Sequence, residues 1–164
     1  MLVWNVLKRL RFKQLLGLAF LSLKHPLYIY PTLKATTESF YISKKHFSKT
    51  HSKNGRGNAY RHALWNAMIC LECHKWQQKT DKVLVWAKVI TDKHEELFPN
   101  KGLDKLMDLH NNRVGRELFM NNDFKSVNEI TAQLKSKLIF AKKISAIEEV
   151  DEFYNELVYI TDEG

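Results

Sequence analysis

Apolar residues recur at helical spacing in most of the chain, so the pattern predicts a succession of helices. Residues 2–23 read as an amphipathic helix with a basic start, and Pro26 and Pro31 are expected to break it. A second helix is expected over 32–48, with Leu33, Phe40 and Phe47 on its apolar side. A basic, Gly-containing loop follows and ends at Asn58, a good N-cap. From Asn58 to about Gln78 the pattern predicts a largely buried helix. Thr80 or Asp81 opens another that runs to about Leu97, and Pro99–Gly102 reads as a turn. Further helices are expected from Leu103 to about Phe119, and from a Ser126 cap to about Phe140. Glu148–Glu156 reads as helical, and Leu157–Ile160 as a short strand or an apolar tail docked on the core.

The fold class expected from this pattern is all-α, an irregular bundle of about 5–7 helices with at most one short strand near the C-terminus. Six Gly and three Pro in 164 residues argue against a turn-rich β-sandwich. The length fits one domain. Within it, 1–50 would form basic N-terminal helices, 54–118 a motif-bearing core and 124–164 a C-terminal tail.

Charge changes this picture in one respect. The net +8 hides an asymmetry: residues 1–75 hold 13 Lys/Arg against 2 Asp/Glu, whereas Glu148–Glu163 holds seven acids and no base. A basic half can face phosphates in lipid or nucleic acid, or be neutralised by an acidic tail folded on it. Residues 15–23 are apolar but about half the ~20 residues that a membrane span needs. Lys24-His25-Pro26 follows without a small-x-small cleavage site. Residues 1–24 are therefore expected to be retained, and the protein to be cytoplasmic with a membrane surface as one partner. Cys70 and Cys73 fall inside an apolar helical stretch with no second Cys pair, which points to buried thiols.

Three segments carry candidate chemistry. On the helix from Asn58, the residues Asn58, His62 and Asn66 lie within about 40° of one line, which Ile69 and Cys73 continue inward. His62 follows a helix start, where the dipole would lower its pKa and keep it neutral. Next, His94 continues the inward line of Val83, Ala87 and Ile90, with Glu95 beside it. Last, in Asp108-Leu-His-Asn-Asn-Arg-Val-Gly-Arg116, the residues Asp108, Asn112 and Gly115 share one face, with Asn111 beside it. His110 points away. Gly115 and the paired Asn residues disfavour a helix interior, as residues kept for a site or for a close helix approach would.

These segments resemble a family of uncharacterised bacterial domains with the pattern NAxRHxxW…HE…MDLHNNxxGR. Its members stand alone or occur at the C-termini of polymorphic toxins. The resemblance covers residues 54–118. It implies one site formed by Asn58, Arg61, His62, Asn66, His94, Glu95, Asp108, Asn111, Asn112, Gly115 and Arg116, and it implies no particular reaction.

The residue types admit a hydrolase acting on a phosphate-bearing substrate. His62, Glu95 and Asp108 would be the catalytic groups. Asn58, Arg61, Asn66, Asn111, Asn112 and Arg116 would hold the substrate. No cofactor is fixed by the sequence; His62, His94 and Asp108 would suit a divalent metal. Metal-free acid–base chemistry with His62 and Glu95 is equally allowed. A second reading is a non-catalytic module with a closed polar network and a basic face for a membrane or partner. A third is non-specific nucleic-acid binding through Lys44, Lys45, Lys49, Lys53, Arg56 and Arg61, though no recognised nucleic-acid motif is present.

Overall fold

The computed structural model describes residue 8 and residues 12–48, 53–98 and 102–162. The start of the N-terminal helix, Lys49 with part of the basic loop, and most of the expected 99–102 turn lie outside these. The described residues form seven helices and one two-stranded sheet: α1 (Phe12–Lys24), α2 (Pro26–Phe47), α3 (Arg56–Trp76), α4 (Thr80–Leu97), α5 (Leu103–Met120), α6 (Val127–Ile139), β1 (Lys142–Lys143), α7 (Glu149–Glu152) and β2 (Val158–Tyr159). The all-α bundle with a short strand near the C-terminus is what the periodicity predicts. None of the described helices is long and apolar enough to cross a membrane.

Helix α3 is the axis of the bundle. From Gly57 to Cys73 every residue but Arg61 and Trp65 is buried. A helix buried on all sides must be surrounded, and α2, α4, α5 and α6 pack around it. Leu64, Met68 and Ile69 are wholly enclosed, each contributing roughly 1.5–3 kcal/mol by burial.

Two expectations fail in α2. Pro26 does separate α1 from α2, but Pro31 does not break the helix. Pro26 sits in the first turn, where its missing N–H has no partner to lose. Pro31 lies inside, but the carbonyl it leaves unpaired belongs to Leu27, which is exposed and can be hydrated. The buried face is also not the Leu33 side: Leu33 is exposed, while Thr32, Ala35, Ser39 and Ser43 are buried. This stripe of small residues lets α2 approach α3 closely. Two threonines of α2 satisfy the polar tips of tryptophans packed against it. Trp86 Nε1 donates to Thr32 Oγ1 at 2.8 Å, and Trp65 Nε1 to Thr36 Oγ1 at 2.9 Å.

The C-terminal segment closes the end of the bundle at which α3 begins. Strands β1 and β2 pair in parallel, Lys142 against Val158 and Lys143 against Tyr159. Beyond β2, the backbone N–H groups of Ile160 and Thr161 donate to Asn54 O, just before α3. Helix α6 starts at the Ser126 cap, whose side chain accepts from Glu129 N, a capping box with Glu129.

Candidate functional site

Helix α3 begins at Arg56, with Gly55 as its cap, two residues before the expected start. Asn58 is therefore free of capping duty, and its side chain turns to α5. Asn58 Nδ2 donates to Asp108 Oδ1 at 2.9 Å, while its Oδ1 accepts from Arg61. One turn on, His62 enters the same space. His62 Nε2 lies 3.2 Å from Asp108 Oδ1, and Nδ1 lies 3.8 Å from Glu95 Oε1 on α4. His62, Glu95 and Asp108 thus meet from three helices, with one ligand atom of each within 4.8 Å of the others. They are 3, 2 and 1 % exposed.

A chain of amides fixes which nitrogen of His62 carries the proton. Arg116 can only donate, and its Nη1 donates to Asn66 Oδ1 at 2.8 Å. Thr91 Oγ1 donates to the same oxygen. Asn66 therefore presents its NH2, which donates to Asn112 Oδ1 at 2.7 Å. The other contact of that oxygen, His62 Nδ1 at 3.1 Å, must then be an N–H donor. In the neutral ring Nε2 is left with its lone pair, and Arg61 Nη2, another obligate donor, approaches it at 2.9 Å.

His62 is held neutral. Burial pushes its pKa well below the usual imidazole range, Arg61 adds to this, and the Asn112 bond opposes it. The helix N-terminus expected from the sequence is not among these causes. Glu95 moves the other way. Burial, reinforced by Asp108, raises its carboxyl from 4.5 to about 7 against the opposing pull of Asn112 and Arg61. Two buried polar atoms here, Glu95 Oε1 and Asn112 Nδ2, have no hydrogen-bond partner. Buried polar atoms are rarely left so; Ser43 Oγ and Tyr60 OH are the others among the described residues.

The other expected site residues fall elsewhere. His94 is not in the ligand cluster. Its ring lies against Trp65 and Phe98, each with centroids 5.1 Å away, and burial with nearby Arg61 lowers its pKa to about 4. The metal-capable set is thus His62, Glu95 and Asp108, in place of His62, His94 and Asp108. Asn66 and Arg116 are buried and hydrogen-bond to each other. Asn111 faces the C-terminal strand: it donates to Met107 O and Val158 O and accepts from Val158 N. His110, expected to point away, contacts Glu156 O through Nε2. Gly115 is where α5 crosses α3, since a Cβ there would stand 2.1 Å from Ala63 O. Thr91 was not singled out by sequence reasoning, although it lies one turn before Glu95 on the same helix and is fully buried. Cys70 and Cys73 are free and buried, and burial raises both thiols, Cys73 to about 12.

No curated protein and no solved structure matches this chain. Residues 19–143 match the sequence model of a family described as "Domain of unknown function (DUF6973)". That stretch takes in α2 to α6 and all three segments that build the centre, and the chain belongs to this family.

Proposed function

We propose that the protein is a hydrolase acting on a phosphate-bearing substrate, with His62, Glu95 and Asp108 as its reaction centre. The observation that carries this reading is the convergence of three ionisable side chains, each at most 3 % exposed, on one buried cluster in which Glu95 Oε1 makes no hydrogen bond. Burying such groups without a ligand costs several kcal/mol, and sites selected for function tolerate that cost.

The chemistry follows from the individual groups. A carboxyl that titrates near 7 can take a proton from water at neutral pH. The water oxygen would form the new bond to phosphorus as the ester P–O bond breaks. The leaving oxygen would then recover a proton from that carboxyl. Arg61, the partly exposed member of the cluster, is placed to hold the negative charge on the phosphoryl oxygens. Arg56 and Lys53, exposed at the same end of α3, would draw an anion toward it.

The test is hydrolysis of four substrate classes: a phosphomonoester, a phosphodiester, anionic phospholipid vesicles and single-stranded RNA. Product release from at least one class, lost in Glu95→Gln, is expected. No release from any class, or release that Glu95→Gln leaves unchanged, sinks the reading.

A surface feature supports a second reading, attachment to a membrane surface. Phe20, Leu23, Leu27 and Val85 are each more than half exposed. Leu27, Val85, Lys24 and Lys82 line one groove of about 610 Å³, so apolar and cationic groups share a face. Co-sedimentation with phosphatidylserine vesicles, weakened in a Leu23→Ser/Leu27→Ser variant, is expected; equal sedimentation of both proteins would contradict it.

A further inference from the structure

We propose that His62 Nε2 and Asp108 hold a divalent metal beside Glu95, and that the metal and the Arg61 guanidinium occupy this position in alternation. The inference deepens the hydrolase reading and rests on the same centre, but it concerns binding and is tested without substrate.

The argument begins at the tautomer. The relay from Arg116 through Asn66 and Asn112 places the imidazole proton on Nδ1, so Nε2 keeps a lone pair, and Asp108 Oδ1 lies 3.2 Å from that nitrogen. Two electron-rich atoms that close, with no hydrogen bond between them, favour a cation beside both, and Arg61 already stands beside Nε2. Ions of the zinc class take histidine nitrogen and carboxylate oxygen at about 2.1 Å. Two such ligands 3.2 Å apart would subtend an angle of about 100° at a shared ion, close to tetrahedral or octahedral geometry. Glu95, whose Oε1 is buried and makes no hydrogen bond, lies within reach of both and would hold a water on the ion, which leaves its carboxyl free to act as the base.

The surroundings also have the form of a metal site. A ligating histidine usually donates its other N–H to a fixed acceptor, as His62 Nδ1 does to Asn112 Oδ1. That acceptor is itself held by Asn66, and Asn66 by Thr91 and Arg116. On the far side, Asp108 Oδ1 is oriented by Asn58 Nδ2. Both inner ligands are therefore aimed by side chains from other helices before any ion arrives.

What occupies the position in this structure is Arg61. Its Nη2 lies 2.9 Å from His62 Nε2 and also bonds Asn58 Oδ1. A guanidinium and a divalent ion cannot share one imidazole lone pair, so metal entry requires Arg61 to turn outward. Arg61 is one of only two residues not buried in the Gly57–Cys73 stretch of α3, so its side chain has an exit that its neighbours lack. In the outward position its charge lies beside the metal, where a phosphoryl group bound to that ion would meet it.

The experiment is calorimetric titration of Zn2+ and Mn2+ into the metal-stripped, full-length chain, with melting temperature as a second readout. One equivalent per chain should bind with a Kd of 10 μM or tighter for at least one ion, and binding should raise the melting temperature. Asp108→Asn, which keeps an acceptor for Asn58, should weaken that binding at least 100-fold while its near-ultraviolet circular dichroism stays native. Arg61→Ala should tighten it at least tenfold, because the competing cation is gone. Failure to bind in both the parent and Arg61→Ala overturns the site. Unchanged or weaker binding in Arg61→Ala overturns the alternation. Hydrolysis that persists in excess chelator would show that the hydrolase reading stands while the metal reading fails.

Discussion

Replacing Gly115 by Ala tests the packing on which the centre depends. The added Cβ would stand 2.1 Å from Ala63 O and 2.8 Å from Ala63 Cα and C. All three atoms are backbone of the buried axial helix, so no side chain can rotate away. Relief requires α3 and α5 to part by about 1.3 Å, the gap between 2.1 Å and the 3.4 Å at which ordinary contact begins. Overpacking of this kind costs about 1–3 kcal/mol and sometimes more. Ala gains about 0.5–1 kcal/mol over Gly in a helix, so the net loss should be about 1–2 kcal/mol. The same displacement carries Asp108 and Asn112, both on α5, away from His62, the residue before Ala63. Urea unfolding followed by far-ultraviolet circular dichroism measures the first effect, and Zn2+ affinity the second. A Gly115→Ala protein within 0.5 kcal/mol of the parent would refute the close-crossing argument, because only the helix-propensity term would then be visible.

Asn111→Ala removes three buried hydrogen bonds to Met107 and Val158 and leaves two backbone groups of β2 without a partner. A loss of about 2–4 kcal/mol is expected, together with faster amide exchange at Val158 and its neighbours; unchanged exchange there would contradict the assignment. Cys70 and Cys73 should resist a thiol reagent in the folded protein and react fully on unfolding, since burial raises both thiols. Rapid labelling of either in native buffer would contradict their enclosure.

Much of this arrangement is legible in the sequence because it is periodic. Helix α4 begins at Thr80 and ends at Leu97, the limits that the apolar spacing sets. The inward line Asn58–His62–Asn66 places His62 among the buried groups before any coordinates are considered. What the sequence hides is tertiary choice. Pro26 and Pro31 both read as breakers; Pro26 does separate α1 from α2, whereas Pro31 lies inside α2 opposite an exposed carbonyl. Asn111 and Asn112 are adjacent and alike in type, but they point 100° apart on α5, so one serves the C-terminal strand and the other orients His62. His94 and Glu95 are separated in the same way, and only Glu95 reaches the centre. No spacing rule decides which of two neighbours that will be; the azimuth at which α4 meets α3 decides it.

The central claim is that Glu95 is buried for function and at a cost to stability. Its carboxyl is raised from 4.5 to about 7 in the folded protein, so folding favours the protonated form. Below pH 4.5 the group is protonated in both states and contributes nothing to the pH dependence. As pH rises through this window the unfolded carboxyl ionises first, and stability falls by up to about 3 kcal/mol. The decisive measurement is the urea-unfolding free energy of Glu95→Gln against the parent, in chelator, from pH 4.5 to 8. The account predicts that Glu95→Gln is the more stable protein at pH 8, by about 1–3 kcal/mol, and that the difference shrinks toward zero at pH 4.5. A variant less stable than the parent by about 3 kcal/mol or more at pH 8, the signature of a broken buried ion pair, would show that the centre is a structural lock.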